Sequence, residues 1–377
     1  MAGRSTEGSA AVLIIDLDAI VDNWRSLSRR AAPAGCAAVV KADAYGLGAA
    51  PVVRALLQAG CSEFFVALVD EGVRLRETLG DAWPRNARLH VLHGALPGEE
   101  ADCLAHGLVP VLNSVDQLAR WQALARQRDH VLPAALQVDT GMARLGMPPT
   151  VLGRLAGEAH GLAGIAPTLV MSHLVSAEDP DDPVSRLQLE LFQPWRQRFP
   201  AALGCLANSS GIFLGPEFHF DLVRPGAALY GVKPVSGQAN PMRPVVRVQA
   251  RLIQWREIGA GEAVGYNHTW RANRPTRLAT VSVGYADGYL RSASNRSQLR
   301  FNGVAVPLVG RVSMDTVTVD VTDIDASQLL PGALFDVVDE VQDVNALAAE
   351  VGTNAYEILT SLGTRFRRQY RGGAINA

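Results

Sequence analysis

Short apolar runs recur along the first two thirds of the chain, near positions 37–40, 64–68, 89–92, 109–112, 134–138, 168–171, 205–207 and 222–223. Between most of them lie stretches whose apolar residues repeat at helical spacing, such as 71–79, 115–127 and 186–198. Eight strands alternating with helices at intervals of roughly 20–35 residues predict an α/β fold of the (β/α)8, TIM-barrel type. A doubly wound sheet would produce the same rhythm. Two features favour the barrel. The count is eight, and polar residues stand just past the strands' C-terminal ends: Lys41, Asp139 with Thr140, His173, Asn208 with Ser209, and Arg224 before Pro225 and Gly226. In a barrel these positions converge on one face, where such folds place their sites.

The ends of the chain read differently. Residues 1–10 are small and polar and read as disordered; a strand over 11–16 and a helix from 17 to about 32 follow. Between 233 and 244 the texture changes, and Pro234, Gly237, Asn240, Pro241 and Pro244 mark a linker. Beyond it the helical pattern mostly vanishes. Runs at 245–255, 277–283, 304–309, 316–321 and 334–337 read as strands, with turns at Ala260-Gly261 and Asn302-Gly303 and a helical stretch around 354–362. The expected plan is a barrel over 12–240 and a β-rich C-terminal domain over 241–377, with the strand near 11–16 a candidate to pair with the latter.

Composition narrows the class. A chain of 377 residues, 48% hydrophobic and 19% charged, has the makings of two domains with sizeable cores. A net charge of −2 with no basic run gives no footing for nucleic acid or an anionic membrane. No apolar stretch approaches the roughly 20 residues that span a bilayer, and the run after residue 10 is too short for a secretion signal. Cys36, Cys61, Cys103 and Cys205 lie far apart without metal-ligand spacing, as reduced and mostly buried thiols of a cytoplasmic protein would. The acidic run 178–183 reads as a solvated loop rather than a metal site.

The chemistry gathers around Lys41. The strand over 36–40 delivers one amine to its C-terminal end, and a glycine-punctuated turn carrying Tyr45 leads into a helix from about 50 to 59. Desolvation lowers the pKa of such an amine and frees its lone pair, as Schiff-base chemistry requires. A strand-end lysine snorkelling into solvent has the same local sequence. Asn208-Ser209-Ser210-Gly211 and Pro225-Gly226-Ala227 follow the seventh and eighth strands, where barrels commonly hold a phosphate. A lysine at one end and a phosphate cradle at the other describe pyridoxal 5'-phosphate.

Lys41-Ala-Asp-Ala-Tyr-Gly-Leu-Gly48 resembles the cofactor-lysine motif of alanine racemases. The resemblance continues through Val138-Asp-Thr-Gly-Met-Ala-Arg-Leu-Gly146, Met171-Ser-His173, Asn208-Ser209, Arg224-Pro-Gly-Ala-Ala-Leu-Tyr-Gly231, Val264-Gly-Tyr266, Gly284-Tyr-Ala-Asp-Gly288, Gly310-Arg-Val-Ser-Met-Asp315 and Ala355-Tyr-Glu-Ile358. Each is weak alone; in order across both domains they are specific.

The resemblance implies a pyridoxal-phosphate isomerase that interconverts L- and D-alanine, usually to supply D-alanine for peptidoglycan. By it, Lys41 would hold the cofactor covalently and serve as one of two bases. Tyr266 of the partner subunit would be the other, so the enzyme would be a homodimer with shared sites. A proton removed from one face must be replaced from the opposite one, and a phenol that titrates near about 10 needs neighbours that stabilise its anion. His173 would be that support. Arg224 would face the pyridine nitrogen; as arginine keeps its proton, the nitrogen would stay unprotonated and the cofactor a weak electron sink, which suppresses transamination. Tyr45, Ser209, Gly226, Ala227 and Tyr356 would contact the phosphate, with Asn208 beside them. Arg144 would meet the substrate or cofactor near the carboxylate, Tyr285 and Met314 of the partner subunit would bind substrate and narrow its entrance, and Asp315 would lie near the same site.

Two positions depart from the family pattern. Gln137 stands where many members carry a carbamylated lysine that steadies the arginine, and an amide cannot form a carbamate; Arg144 is then held by Gln137 itself or by a bound chloride. Cys205 stands where relatives often have histidine, and a thiol is a poor hydrogen-bond partner for Arg224. The alternatives are a racemase of another small amino acid such as serine, a decarboxylase of the same architecture, and a non-catalytic cofactor-binding protein. Serine stays open because a small pocket rejects one extra hydroxyl poorly.

Overall fold

The computed structural model describes residues 9–373, so most of the polar segment at 1–10 lies outside the described residues. The chain divides into two compact units: Ile20–Arg243, and the segment from Pro244 onward together with the N-terminal strand.

The first unit is a ring of eight parallel strands. Seven form one sheet in sequence order: Ala38–Val39, Glu63–Val66, Arg88–Val91, Leu108–Leu112, Leu132–Gln137, Ile165–Met171 and Leu203–Cys205. The eighth, Leu222–Val223, pairs in parallel with Gly35–Cys36. Backbone bonds from Asp221 N to Gly204 O and from Arg224 N to Ala207 O join it to the seventh strand. Bonds from Ala37 N to Val223 O and from Val39 N to Pro225 O complete the closure. The eight apolar runs are these eight strands. They lack the polar–apolar alternation of a solvated sheet because strands covered on both faces are apolar throughout; every residue of Leu108–Leu112 is buried. The first strand is broken in two by Ala37, where sequence periodicity suggests one run.

Helices start and stop where their chemistry dictates. Ser114 Oγ accepts from Gln117 N at 3.2 Å to open Val115–Arg128, and Asp129 ends it in the left-handed region at φ 49°. Two more sequence-read helices appear as Val69–Leu79 and Val184–Arg198, each two residues longer at its start than its apolar period suggests.

The second unit is built on the 13-residue strand Val246–Ile258, which pairs antiparallel with Ala11–Asp16, Thr276–Val281 and Leu334–Val338. Arg367–Arg371 adds in parallel to Ala11–Asp16. This last strand escapes the sequence pattern because its five residues are mostly charged and half-buried rather than alternating. Gln298–Phe301, a hairpin partner of Val304–Pro307, and the two-residue strands at 263–264 and 270–271 are likewise absent from the apolar pattern. The helical stretch expected at 354–362 is Ala355–Ser361, preceded by a second helix, Val344–Val351, that the sequence reading misses.

Candidate active site

Within the barrel unit, Lys41 follows Val39–Val40 at the C-terminal end of the first strand, as periodicity places it. The turn after it is not an ordinary glycine turn. Ala42, Asp43, Ala44 and Tyr45 all adopt left-handed helical angles, with φ of 53°, 54°, 54° and 55°. Each costs an L-residue roughly 1–2 kcal/mol, so the run persists because its surroundings over-determine it. Ala44 N donates to Val40 O at 2.9 Å and Gly48 N to Asp43 O at 2.8 Å. Asp43 Oδ1 accepts from Ala49 N at 2.7 Å and so caps the following helix, Ala49–Gln58. Ala42 N donates to Glu71 Oε1 at 2.6 Å. The result turns the buried Tyr45 ring back against Tyr230, with centroids 4.8 Å apart.

The loops after the seventh and eighth strands meet that ring. A Cβ at Gly226 would overlap Tyr45 Oη and stand 3.1 Å from its Cζ, so backbone and phenol are in direct apposition. Ser209 Oγ, buried, accepts from Gly226 N at 3.0 Å and Ala228 N at 3.2 Å, which ties the two loops together. Ala227 opens the short helix Ala227–Tyr230, whose first N–H groups have no partner inside the helix. Small residues, a hydroxyl and a phenol brought together beside this helix start suit a phosphate; the cradle fits. Asn208 is engaged otherwise. Its Oδ1 accepts from Gly211 N at 2.9 Å and its Nδ2 reaches Leu174 O at 3.4 Å, so it shapes the loop.

Arg224 is 3% exposed and bonded through both of its terminal nitrogens. Its Nη2 donates to Ser172 O at 2.9 Å and to His173 Nδ1 at 3.1 Å, and its Nη1 faces Cys205 Sγ at 3.6 Å. A guanidinium only donates, so His173 Nδ1 is the acceptor and the imidazole carries its proton on Nε2. Burial first, then the charges of Arg224, Arg144 and Lys41, push His173 down to about 3, so it is neutral at ordinary pH. Burial and the same two guanidinium groups lower the Lys41 amine below its usual range, while Glu71 pulls the other way. Lys41, Arg144, His173 and Arg224 thus share one electrostatic environment. Cys205 is buried and its thiol raised by burial, partly offset by Arg224, so it meets the guanidinium as a neutral group.

The loop carrying Arg144 folds around Asp139. One carboxylate oxygen accepts from Gly141 N and Met142 N at 2.9 Å each and from Ala143 N at 3.2 Å. Gln137, buried, donates from Nε2 to Leu145 O at 3.1 Å. Sequence reasoning missed Gln188, a fully buried side chain on Val184–Arg198. Its Nε2 donates to Thr140 Oγ1 at 3.1 Å and His173 O at 2.9 Å, and its Oε1 accepts from Val175 N at 3.0 Å. A glutamine amid an amphipathic helix looks like a surface residue, and no local signal distinguishes it.

In the second unit Tyr266, Met314, Tyr356 and Tyr285 are 65%, 53%, 44% and 43% exposed, unusual for large side chains. The loops of Tyr285 and Met314 are laced by Tyr285 N to Ser313 O at 3.1 Å and Ala286 N to Met314 O at 3.0 Å; a Cβ at Gly284 would overlap Met314 O. Arg365 bridges them, pairing with the buried Asp287 at 3.0 Å and with Asp315 at 2.6 Å. Tyr266 follows Gly265, at φ 70°, whose Cβ position lies 3.5 Å from Arg311 N. All four cysteines are buried and free, and no group of three or more histidine, cysteine or acidic residues is placed to hold a metal among the described residues. No described helix is long and apolar enough to cross a membrane.

Comparison with known proteins agrees in both units. The alanine racemase N-terminal domain model matches residues 15–234 and the alanine racemase C-terminal domain model residues 245–370. An alanine racemase of Rhodospirillum rubrum is 50% identical over 365 residues, 97% of this chain and 96% of the relative. A catabolic alanine racemase of Mesorhizobium japonicum is 46% identical, covering 98% and 95%. Among solved structures, the alanine racemase of Bartonella henselae with covalently bound pyridoxal phosphate superposes with a TM-score of 0.90 at 40% identity, covering 96% of this chain and all of that one.

Proposed function

The chain belongs to the alanine racemase family, and we propose that it interconverts L- and D-alanine with pyridoxal 5'-phosphate held by Lys41. The observation that carries this reading is the joint placement of a lysine amine of lowered pKa and the Tyr45–Ser209–Gly226 cradle on one face of the barrel unit. Tyr45, Ser209, Gly226 and Ala227 hold the phosphate, with Asn208 shaping the loop. When bound, the cofactor withdraws electrons from the substrate α-carbon and acidifies its proton.

The chain's own groups handle that proton. Burial and two neighbouring guanidinium groups favour a neutral Lys41 amine, which can take a proton from the α-carbon or return one. Inversion needs a second base on the opposite face, and Tyr266 of the partner subunit is assigned that role. His173 keeps its Nε2 proton because Nδ1 is committed to Arg224, so a donor remains to stabilise a phenolate. Arg224, a permanent donor, meets the ring nitrogen without giving it a proton. Arg144 receives the substrate carboxylate, with Gln137 or a bound chloride in place of the family's carbamate. Tyr285, Met314 and Asp315 of the partner subunit line the entrance. The exposure of Tyr266, Tyr285 and Met314 supports a homodimer, because large side chains left open on one protomer are available to its copy.

Proton NMR of the cofactor-loaded protein with L-alanine in deuterated water, paired with chiral analysis, tests the reading. Loss of the α-proton signal together with D-alanine is expected. Tyr266→Phe should keep cofactor binding and lose turnover; full turnover in that variant would refute the two-base assignment, and no D-alanine in the wild type would refute racemisation.

A further inference from the structure

Glu71 appears in none of the motifs above, yet its carboxylate is the link between two barrel strands at the site. Its Oε2 accepts from Ala67 N at 2.7 Å and Leu68 N at 3.2 Å, the backbone just ahead of its own helix, Val69–Leu79. Those bonds are an ordinary helix-start device. The other oxygen is not spent at home. Oε1 crosses to the end of the first strand and accepts from Ala42 N at 2.6 Å, the residue directly after Lys41.

That N–H sits at the first of four consecutive left-handed residues. A strained segment holds its shape only while its surroundings specify it. Glu71 supplies the bond at the end of the turn that adjoins the lysine, and Asp43 and Val40 supply those further along. Glu71 is also the acidic side chain acting on the Lys41 amine, against Arg144 and Arg224, with His173 neutral beside them. We propose that Glu71 is a positioning residue for Lys41: anchored at the start of its own helix, it bonds the Ala42 N–H and fixes the left-handed turn that sets where the lysine amine stands. The inference rests on the assignment of Lys41 as the cofactor lysine and extends it to the next strand.

The chemistry requires a carboxylate of this length. Glutamine offers one acceptor oxygen and must turn its NH2 against a backbone N–H, donor to donor, on one side or the other. Aspartate is shorter by one methylene, so a side chain that still caps the helix falls short of Ala42.

The test compares wild type, Glu71→Gln and Glu71→Asp as cofactor-loaded proteins, after urea unfolding shows which are folded. Hydrogen exchange at the Ala42–Tyr45 amides should accelerate about 10-fold or more in both variants. In the same proteins kcat should fall about 10-fold with KM little changed, and the pH at which the lysine-bound cofactor changes its visible absorbance should move. The aspartate variant keeps the test decisive if the glutamine variant fails to fold. Unchanged exchange over 42–45 with unchanged kcat would show that Glu71 caps its own helix and nothing more, and would overturn the proposal. The exchange arm needs no turnover. Failure of the wild type to racemise alanine would therefore count against the function proposed above and leave the placement of Glu71 to be judged by exchange.

Discussion

Replacing Gly226 by alanine probes the joint between the Tyr45 turn and the phosphate cradle. The added Cβ would overlap Tyr45 Oη and stand 3.1 Å from Tyr45 Cζ and 3.2 Å from Val39 Cβ. Neither neighbour can yield easily. Tyr45 is buried, packed at a tilt 4.8 Å from the fully buried Tyr230, and anchored on backbone of φ 55°; Val39 is in a barrel strand. Overpacking of this kind costs about 1–3 kcal/mol, and the phenolic oxygen is the worst overlap. Tyr45→Phe removes that oxygen and leaves the tight Cζ and Val39 contacts. The pair should therefore couple: Gly226→Ala alone loses about 2–3 kcal/mol, and in the Tyr45→Phe background about 1–2 kcal/mol of that loss disappears. The assay is urea unfolding of wild type, both singles and the double at one protein concentration, since assembly shifts apparent stability. The Tyr45→Phe single accounts for whatever the hydroxyl contributes by itself. Additivity within about 0.5 kcal/mol would refute the apposition. Pyridoxal-phosphate affinity should fall in Gly226→Ala and, because Tyr45→Phe removes a phosphate contact, stay low in the double variant.

Three further outcomes are expected. His173 is depressed from 6.5 to about 3, so between these values the unfolded chain binds the extra proton; its contribution is complete above about pH 6.5 and is lost as pH falls toward 3. Unfolding titrations of His173→Gln should show a shallower acid loss than wild type over that window, and identical slopes would contradict a neutral buried imidazole. Asp139→Ala frees the three N–H groups that shape the Arg144 loop and should raise KM for alanine about 10-fold, with Asp139→Asn largely rescuing it; equal KM in all three would sink that role. Because Gln137 cannot be carbamylated, activity should be indifferent to bicarbonate removal, and a collapse without bicarbonate would refute its assignment beside Arg144.

Much of the architecture was legible in the chain because it follows from local rules. Eight apolar runs became eight parallel strands, since strands covered on both faces must be apolar along their whole length. Lys41, His173, Ser209 and Arg224 stand out because a polar residue ending such a run lands at one rim of the ring. The strand Arg367–Arg371 was invisible for the converse reason: its place depends on a neighbour, Ala11–Asp16, some 350 residues away in sequence and not on its own pattern.

The tertiary structure alone decided the rest. Within Ala42-Asp43-Ala44-Tyr45 only Asp43 tolerates left-handed angles readily; the turn exists because bonds from Val40, Asp43 and Glu71 hold it. The tautomer of His173 follows from an arginine 51 residues away, and Gln188 is a buried clamp only because of where its helix packs. Periodicity and motif order determine which elements form and which residues can do chemistry, since these depend on near neighbours along the chain. Protonation, strain and the sharing of hydrogen bonds depend on what is brought close in space, and no local stretch of sequence contains that.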